Sequence, residues 1–193
     1  MKIPMFTFVY FASLFIYTST YSQENWSMEF RPGVNFPISE EGIETGFGFE
    51  LSVSYSFMPH LGAYAGWGWN QFPSDENFII SGKTYDLEET GYIFGLQFFH
   101  PLLYSFGLSY LVKVGGIYNH VELENSNGDI IEDSGHGLGW EAGVGLAIEV
   151  GRGWDIRPRI DYRSLTRKIE IETTSTDIKL NYIKAGVGIV KKF

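Results

Sequence analysis

A strict alternation of large apolar residues with small or polar residues runs through residues 47–57. Every odd position carries Phe, Leu, Val or Tyr, and every even position carries Gly, Ser or Glu50. A period of two residues places these two sets on opposite faces of an extended strand. The segment therefore predicts a β-strand with one aromatic face and one polar face.

The same alternation recurs along the chain and predicts eight strands, with approximate bounds at residues 26–36, 47–57, 61–70, 91–98, 104–124, 138–150, 154–163 and 183–193. Long connections follow the first, third, fifth and seventh strands, the last of them a polar loop over 173–177, and short ones follow the second, fourth and sixth. This rhythm favours antiparallel up-and-down order. Ser81-Gly82 and Asn127-Gly128 are the predicted turns of two outer hairpins. Before Tyr182 the alternation slips by one residue, which we attribute to a bulge or to the start of the membrane zone.

The aromatic face is too bulky for the interior of an eight-stranded barrel, which holds only modest side chains. We therefore predict an all-β fold: an eight-stranded antiparallel up-and-down transmembrane β-barrel with its aromatic face in lipid and both termini in the periplasm. Closure is required because hydrocarbon offers no partner to a free strand edge. The mean hydropathy of -0.06 is compatible with this fold, since alternation hides the apolar residues. The predicted membrane girdle consists of Trp26, Trp67, Trp69, Trp140, Trp154 and Phe193.

The first 22 residues have the pattern of a secretory signal peptide. Lys2 precedes an apolar stretch over residues 5–17, and the small residues Thr20 and Ser22 are spaced like a cleavage site. We expect cleavage after Ser22, which leaves residues 23–193 as a single barrel domain.

The chain carries a formal net charge of -9, and most of the predicted outer loops are acidic. Such loops can remain solvated, bind a basic partner, or be bridged to lipopolysaccharide phosphates by divalent cations; solvated loops are the favoured interpretation. Residues 125–129 lack the spacing of an EF-hand and are better explained as the tip of a hairpin. We predict no metal site and no cofactor. Nucleic-acid binding is not expected, because Lys and Arg are not concentrated outside the lumen. The acidic loop residues are Glu40, Glu41, Glu44, Asp75, Glu76, Asp86, Glu122, Glu124, Asp129, Glu132 and Asp133.

Charged residues on the polar faces are predicted to form a network in the lumen. Counting from the turn at residues 151–153 places Glu141 opposite Arg163, and counting from Pro101 places Glu89 opposite Lys113. Buried charges persist only when they are paired, so the favoured interpretation is a polar plug. The alternative is a narrow gated pore in which one pair exchanges partners. The predicted network consists of Glu29, Arg31, Glu50, Glu89, Lys113, Glu141, Arg157, Arg159, Asp161, Arg163 and Lys184.

With its signal peptide, short turns, long outer loops and C-terminal aromatic residue, the chain resembles the small eight-stranded outer-membrane barrels of the OmpA/OmpX type. The resemblance implies residence in the outer membrane of a Gram-negative bacterium, contact with outer-membrane lipid and lipopolysaccharide, and insertion by the barrel-assembly machinery. It also implies that Phe193, in the closing segment YIKAGVGIVKKF, is the assembly signal, although Lys191 stands where the family usually has an apolar residue. Members include adhesins, tethers and a few lipid-modifying enzymes, so the resemblance implies an architecture and not one activity.

We predict no catalytic residue. Asp133, Ser134 and His136 are close in sequence, but a triad is defined by geometry and not by adjacency. Pro32 and Pro158 lie inside predicted strands, where each removes a ladder hydrogen bond. In the lipid-A palmitoyltransferase barrels such prolines open lateral gaps; local bulges are the favoured interpretation here.

The expected function is therefore structural or surface-interacting: adhesion or tethering by a monomer through its outer hairpins, with an extracellular protein as a candidate partner. Three alternatives stay open. They are a lipid-modifying enzyme that depends on His120 or His136, a narrow gated pore, and a soluble lipocalin-like carrier whose apolar face lies inside the barrel.

Overall fold

A closed antiparallel sheet makes up the protein, as seen in a computed structural model that describes residues 25–38, 42–75, 85–102, 107–125, 129–171 and 174–193. Eight strands form the wall in the order β4-β3-β2-β1-β9-β8-β7-β5, and pairing of β4 with β5 closes it. The predicted eight-stranded antiparallel barrel is confirmed. The strands are β1 (Trp26–Pro37), β2 (Gly46–Met58), β3 (Leu61–Pro73), β4 (Tyr85–Pro101), β5 (Leu108–Asn125), β6 (Ile130–Asp133), β7 (Gly137–Gly151), β8 (Trp154–Ile171) and β9 (Thr174–Lys192).

The short strand β6 is an addition to the predicted set. It pairs with the upper part of β5, beyond the point where β7 begins at Gly137. The signal peptide and the turn dipeptides Ser81-Gly82 and Asn127-Gly128 lie outside the described residues. No helix in the described ranges is long and apolar enough to cross a membrane.

Two predicted connections are wrong. Strand β4 continues to Pro101 and β5 begins only at Leu108, so the centre of this turn lies beyond Pro101. As a result Lys113 pairs with Gln97 in the ladder, and the predicted pairing of Glu89 with Lys113 is wrong. The predicted polar loop over 173–177 is also wrong, because β8 and β9 continue as a two-stranded ribbon as far as the pair of residues 171 and 174.

The tight turn between β7 and β8 has the predicted register. Gly151, Arg152 and Gly153 all adopt positive φ angles, as a short left-handed turn requires. Glu141 lies opposite Arg163, as counting from this turn predicted.

Neither proline is at a bulge. On one side of Pro32 Phe30 pairs with Ile189, and on the other Gly33 pairs with Gly186, in one unchanged register. The ladder between β7 and β8 likewise keeps its register across Pro158. The predicted bulges are therefore wrong: each proline interrupts a ladder without inserting a residue, because only its N–H group is missing.

At the level of the cross-strand pair Tyr92–Tyr118, the inner and outer faces of the barrel exchange character. On the short-turn side of this level the outward residues are apolar. On the long-loop side Leu87 and Leu123 point inward and are fully buried, while Glu88 and Glu122 point outward. The same inversion explains the slip before Tyr182, since β9 pairs with β8 in unbroken register and contains no bulge there. A barrel needs this inversion where its outer face passes from an apolar surrounding into water.

Candidate functional site: the charged lumen and the outer strands

Glu50, on the inner face of β2, is the centre of the lumen network. Its carboxylate lies 2.6 Å from Arg31 Nη2 and 3.1 Å from Lys184 Nζ. It also accepts a hydrogen bond from Arg163, and Arg159 Nη2 lies 3.6 Å away. One carboxylate from β2 is therefore surrounded by cations from β1, β8 and β9.

Glu141, on β7, joins a second set of partners. Its carboxylate lies 2.7 Å from Lys113 Nζ and accepts a hydrogen bond from Arg163 Nε at 3.0 Å and another from the Tyr64 hydroxyl at 2.7 Å. Lys113 also lies 4.1 Å above the Tyr64 ring. Gly95 leaves room for this tyrosine, since a Cβ there would stand 2.7 Å from the hydroxyl oxygen. Arg163 thus links the Glu141 cluster to Glu50.

Residues on β8 extend the network toward the short-turn end of the barrel. Asp161 lies 2.6 Å from Arg31 and 3.0 Å from Arg159, which in turn lies 3.4 Å from Glu29. Below them Arg157 donates to Asp155 at 2.9 Å. A cavity of about 860 Å³ opens at this end, with Gln97, Asp155, Arg157 and Lys192 in its lining.

Glu89 lies above the rest of the network and has mostly neutral partners. Asn119 and Tyr182 each donate to its carboxylate at 2.5 Å and Asn70 at 3.3 Å, while Arg163 stands 3.9 Å away. All eleven residues predicted for the lumen network are buried. With Asp155 added, the network contains six buried acids and six buried bases, so ion pairs and hydrogen bonds can offset the cost of dehydration. Arg167, nearer the long-loop end, is a seventh buried base.

An apolar layer covers the network at the long-loop end. The ring of Phe72 meets that of Tyr182 edge to face, with 5.0 Å between centroids. Around this pair lies the largest buried apolar cluster of the described residues, contributed by Ile43, Phe72, Tyr85, Leu87, Val121, Leu123, Leu165, Ile178, Leu180 and Tyr182.

Arg167 closes the wall where β7 begins. The strand ladder between β7 and β8 starts at Gly139–Leu165, so Gly137 and Leu138 have no ladder partner on β8. The buried guanidinium donates to the carbonyl oxygens of Asn119, Gly137 and Leu138 at 3.2, 2.7 and 3.1 Å. Sequence reasoning missed Arg167, although the inward alternation of β8 continues through Leu165 to this position.

The outer face above the inversion is acidic. Asp86 lies opposite Glu124 and Glu88 opposite Glu122, so β4 and β5 present two pairs of directly opposed carboxylates. Like charges at opposed positions repel. Partial burial and the neighbouring carboxylates of Glu88, Glu122 and Asp86 raise the pKa of Glu124.

The predicted girdle residues point away from the lumen. Trp26, Trp140, Trp154 and Phe193 are exposed, and Trp67 and Trp69 are half-buried against neighbouring rings such as Phe49. Trp26 and Trp154 lie at the short-turn end, and Trp69 and Trp140 lie toward the long-loop end.

The residues considered for catalysis do not form a triad. Ser134 donates its hydroxyl to the Gly135 carbonyl and accepts from the Val121 N–H, so its known contacts are structural. Asp133 contacts His120, and the ring of His136 stacks on that of His120.

Comparisons with known proteins agree on the architecture. The family model described as outer membrane protein beta-barrel domain matches residues 8–190. A search of curated proteins gives no match. Neisserial surface protein A has a similar structure, with a TM-score of 0.60 and 13% identity over 89% of this chain and 98% of that one.

Two further solved structures share the fold. The outer membrane protein OprG from Pseudomonas aeruginosa gives a TM-score of 0.59 with 12% identity over 88% of this chain and 96% of its own. The outer membrane protein AlkL, solved in lipid bilayers, gives 0.51 with 13% identity over 91% of this chain and 93% of its own. At these identities the likeness concerns the fold alone.

Proposed function

The chain belongs to the outer membrane protein beta-barrel domain family, as a small eight-stranded barrel in the outer membrane of a Gram-negative bacterium, and we propose that it acts as a surface-interaction protein. In this proposal the outer extension adheres to or tethers a partner. It is formed by the described parts of β3, β4, β5, β6, β8 and β9 on the long-loop side of the Tyr92–Tyr118 pair. The filled lumen serves as a structural plug, and no catalytic step is involved.

The observation that carries the proposal is the apolar core inside the outer extension. Strands of 17 to 19 residues in β4, β5, β8 and β9 exceed the roughly 9–11 residues that cross a bilayer. Solvated loops would need no core, whereas Leu87, Leu123 and Leu180 are buried beneath the acidic outer face. A supported sheet holds its side chains in fixed positions, as a recognition surface requires.

The acidic face indicates the chemistry of the partner. Asp86, Glu88, Glu122 and Glu124 form a negative surface, which would attract a basic segment of an extracellular protein. Lipopolysaccharide is a second proposed neighbour of the barrel at this level.

Binding to a basic probe tests the surface role. The affinity of a lysine-rich peptide would be measured for barrels in lipid nanodiscs, with wild type and the triple variant Asp86→Asn, Glu88→Gln, Glu124→Gln compared. We expect the variant to lose at least about tenfold in affinity, and the affinity of the wild type to fall as the salt concentration rises. Glu149→Gln, an exposed carboxylate at the other end of the barrel, is the control. Equal binding by the triple variant would contradict the proposal.

Two further assays test the structural plug and the absence of catalysis in this proposal. A plugged lumen predicts no steady conductance in planar bilayers, and steady channels would favour the gated-pore alternative. A barrel without catalysis leaves lipopolysaccharide and phospholipid acyl chains unchanged by mass spectrometry. An acyl change that disappears in His120→Ala or His136→Ala would favour the enzyme alternative.

A further inference from the structure

His120, Glu122 and Asp133 converge on the outer surface of the β5–β6 hairpin. His120 and Glu122 are two residues apart on the outward face of β5, and Asp133 on β6 lies directly opposite Glu122. His120 Nδ1 stands 3.2 Å from Asp133 Oδ1 and 3.5 Å from Glu122 Oε1. One donor atom from each residue falls within 4.8 Å of the other two.

We propose that these three residues form a binding site for a divalent transition-metal ion of the Zn²⁺ type. In a tetrahedral site with bonds of about 2.0–2.1 Å, neighbouring ligand atoms are separated by about 3.3 Å. The two distances from His120 match this separation. Three protein ligands leave a fourth position for water or for a donor from a partner.

Contacts around the cluster hold the ligands in place. The Gly135 N–H donates to Asp133 Oδ1 at 2.8 Å, and the Val121 N–H donates to Ser134 at 2.9 Å, which fixes the end of β6 against β5. The His120 ring stacks on His136 with 4.6 Å between centroids and 18° between planes. Such second contacts orient metal ligands and lower the cost of binding.

The donor set favours a transition metal over Ca²⁺ or Mg²⁺. Those ions prefer six or more oxygen ligands, whereas one imidazole and two carboxylates suit Zn²⁺ and its neighbours in the first transition series. The carboxylates of Glu88 and Glu124 beside the cluster add negative potential that attracts a cation.

Calorimetric titration of the folded, metal-stripped protein with ZnCl₂ in detergent tests the site. We expect one Zn²⁺ per chain, and at least about a tenfold loss of affinity in each of His120→Ala, Glu122→Gln and Asp133→Asn. Glu132→Gln, next to Asp133 on β6, and His60→Ala, in the short turn between β2 and β3, are matched controls that should retain affinity. The boiled and unboiled gel mobility of each variant reports whether its barrel has folded.

The opposite results would overturn the site. These are wild-type affinity in His120→Ala, an equal loss in His60→Ala, or binding of CaCl₂ as tight as that of ZnCl₂. An interaction that is only an ion pair between His120 and the carboxylates predicts no bound Zn²⁺. If a variant fails to fold, the visible absorption spectrum of the wild type with Co²⁺ tests the site instead. A four-coordinate site of nitrogen and oxygen ligands gives strong visible absorption, and a spectrum without that absorption would contradict the proposal.

This site can be tested separately from the surface role proposed above. The triple variant used there leaves all three ligands unchanged, so it should lose peptide binding but still bind one Zn²⁺ per chain, with an affinity lowered only by the lost negative potential. His120→Ala removes a ligand and no carboxylate of the acidic surface, so it should lose Zn²⁺ binding and keep peptide binding.

Discussion

Glu141 and Arg163 face each other across the β7–β8 ladder, and Arg163 Nε donates to the Glu141 carboxylate at 3.0 Å. The same carboxylate also accepts from Tyr64 and lies within 2.7 Å of Lys113. A single carboxylate on β7 therefore balances cations from the two strands that flank β7, namely β5 and β8. Because all four side chains are buried, the loss of one partner leaves the remaining charges in a desolvated site.

Replacing Glu141 with Ala should destabilise the barrel strongly. The substitution leaves Lys113 without its carboxylate partner and removes one of the two closest carboxylates from Arg163. Breaking a buried pair in this way costs about 3–5 kcal/mol. Urea unfolding of the refolded barrel in lipid vesicles, followed by tryptophan fluorescence, measures the change in free energy of unfolding.

Glu149→Ala is the control for that substitution. Glu149 lies on the same strand and is exposed, so its removal should change the free energy of unfolding by less than about 1 kcal/mol. Similar losses for the two variants would show that the Glu141 contacts contribute little to stability.

The pairing of Glu141 with Arg163 could be predicted from the sequence because the turn between them is tight. A turn over residues 151–153 fixes the register by counting. The register between β4 and β5 cannot be predicted by counting, since the sequence does not show that β4 continues to Pro101 and that β5 begins at Leu108. The predicted partner of Lys113 is therefore wrong, although the prediction that Lys113 points into the lumen is confirmed.

The outer extension is harder to predict, because its strands run from lipid into water and exchange their apolar and polar faces on the way. In β9 the apolar residues Ile178 and Leu180 share the inner face with Lys184. If every apolar residue of β9 is expected to face lipid, this segment looks like a slip of register. If the strand is divided into one zone in lipid and one zone in water, the same residues predict the inversion and the apolar core.

Replacing Phe72 with Ala should loosen the outer extension without opening the barrel in the membrane. Phe72 is fully buried and packs on Tyr182, and truncating a buried phenylalanine costs about 3–5 kcal/mol. Limited proteolysis should cut the outer strands faster in this variant, while the shift in gel mobility on boiling is retained.

Phe98→Ala is the comparison for Phe72→Ala. Phe98 is 37% exposed on the outward face of β4, and its loss should leave the rate of proteolysis near that of the wild type. Faster cleavage in Phe98→Ala, or loss of the gel shift in Phe72→Ala, would contradict a core confined to the outer extension.

Replacing Arg167 with Ala should release the start of β7. The guanidinium bridges carbonyl groups of Asn119, Gly137 and Leu138, and each hydrogen bond to a charged donor contributes about 1.5–3 kcal/mol when its partner is buried. We expect faster amide hydrogen exchange over residues 137–141, with little change at the short-turn end. Arg167→Lys should recover only part of the protection, because an ammonium group cannot reproduce the planar fork of donors.

Lys168→Ala provides the control for Arg167. Lys168 is the next residue on β8 and is exposed, so its loss removes a positive charge at nearly the same place without removing these hydrogen bonds. Equal exchange in the two variants would assign the effect to charge alone.

Replacing Phe193 with Ala should slow assembly in cells more than it weakens the assembled barrel. The Phe193 N–H donates to the Trp26 carbonyl at 2.8 Å, a bond that survives the substitution, while the ring is 41% exposed. Loss of an exposed ring that packs little should cost less than about 1 kcal/mol in the refolded protein. If the ring is read by the barrel-assembly machinery, the amount of protein in the outer membrane with shifted mobility on an unboiled gel should fall. Phe57→Ala, a similarly exposed phenylalanine at the same end of the barrel, should leave that amount unchanged, and equal amounts for Phe193→Ala would remove Phe193 from the assembly signal.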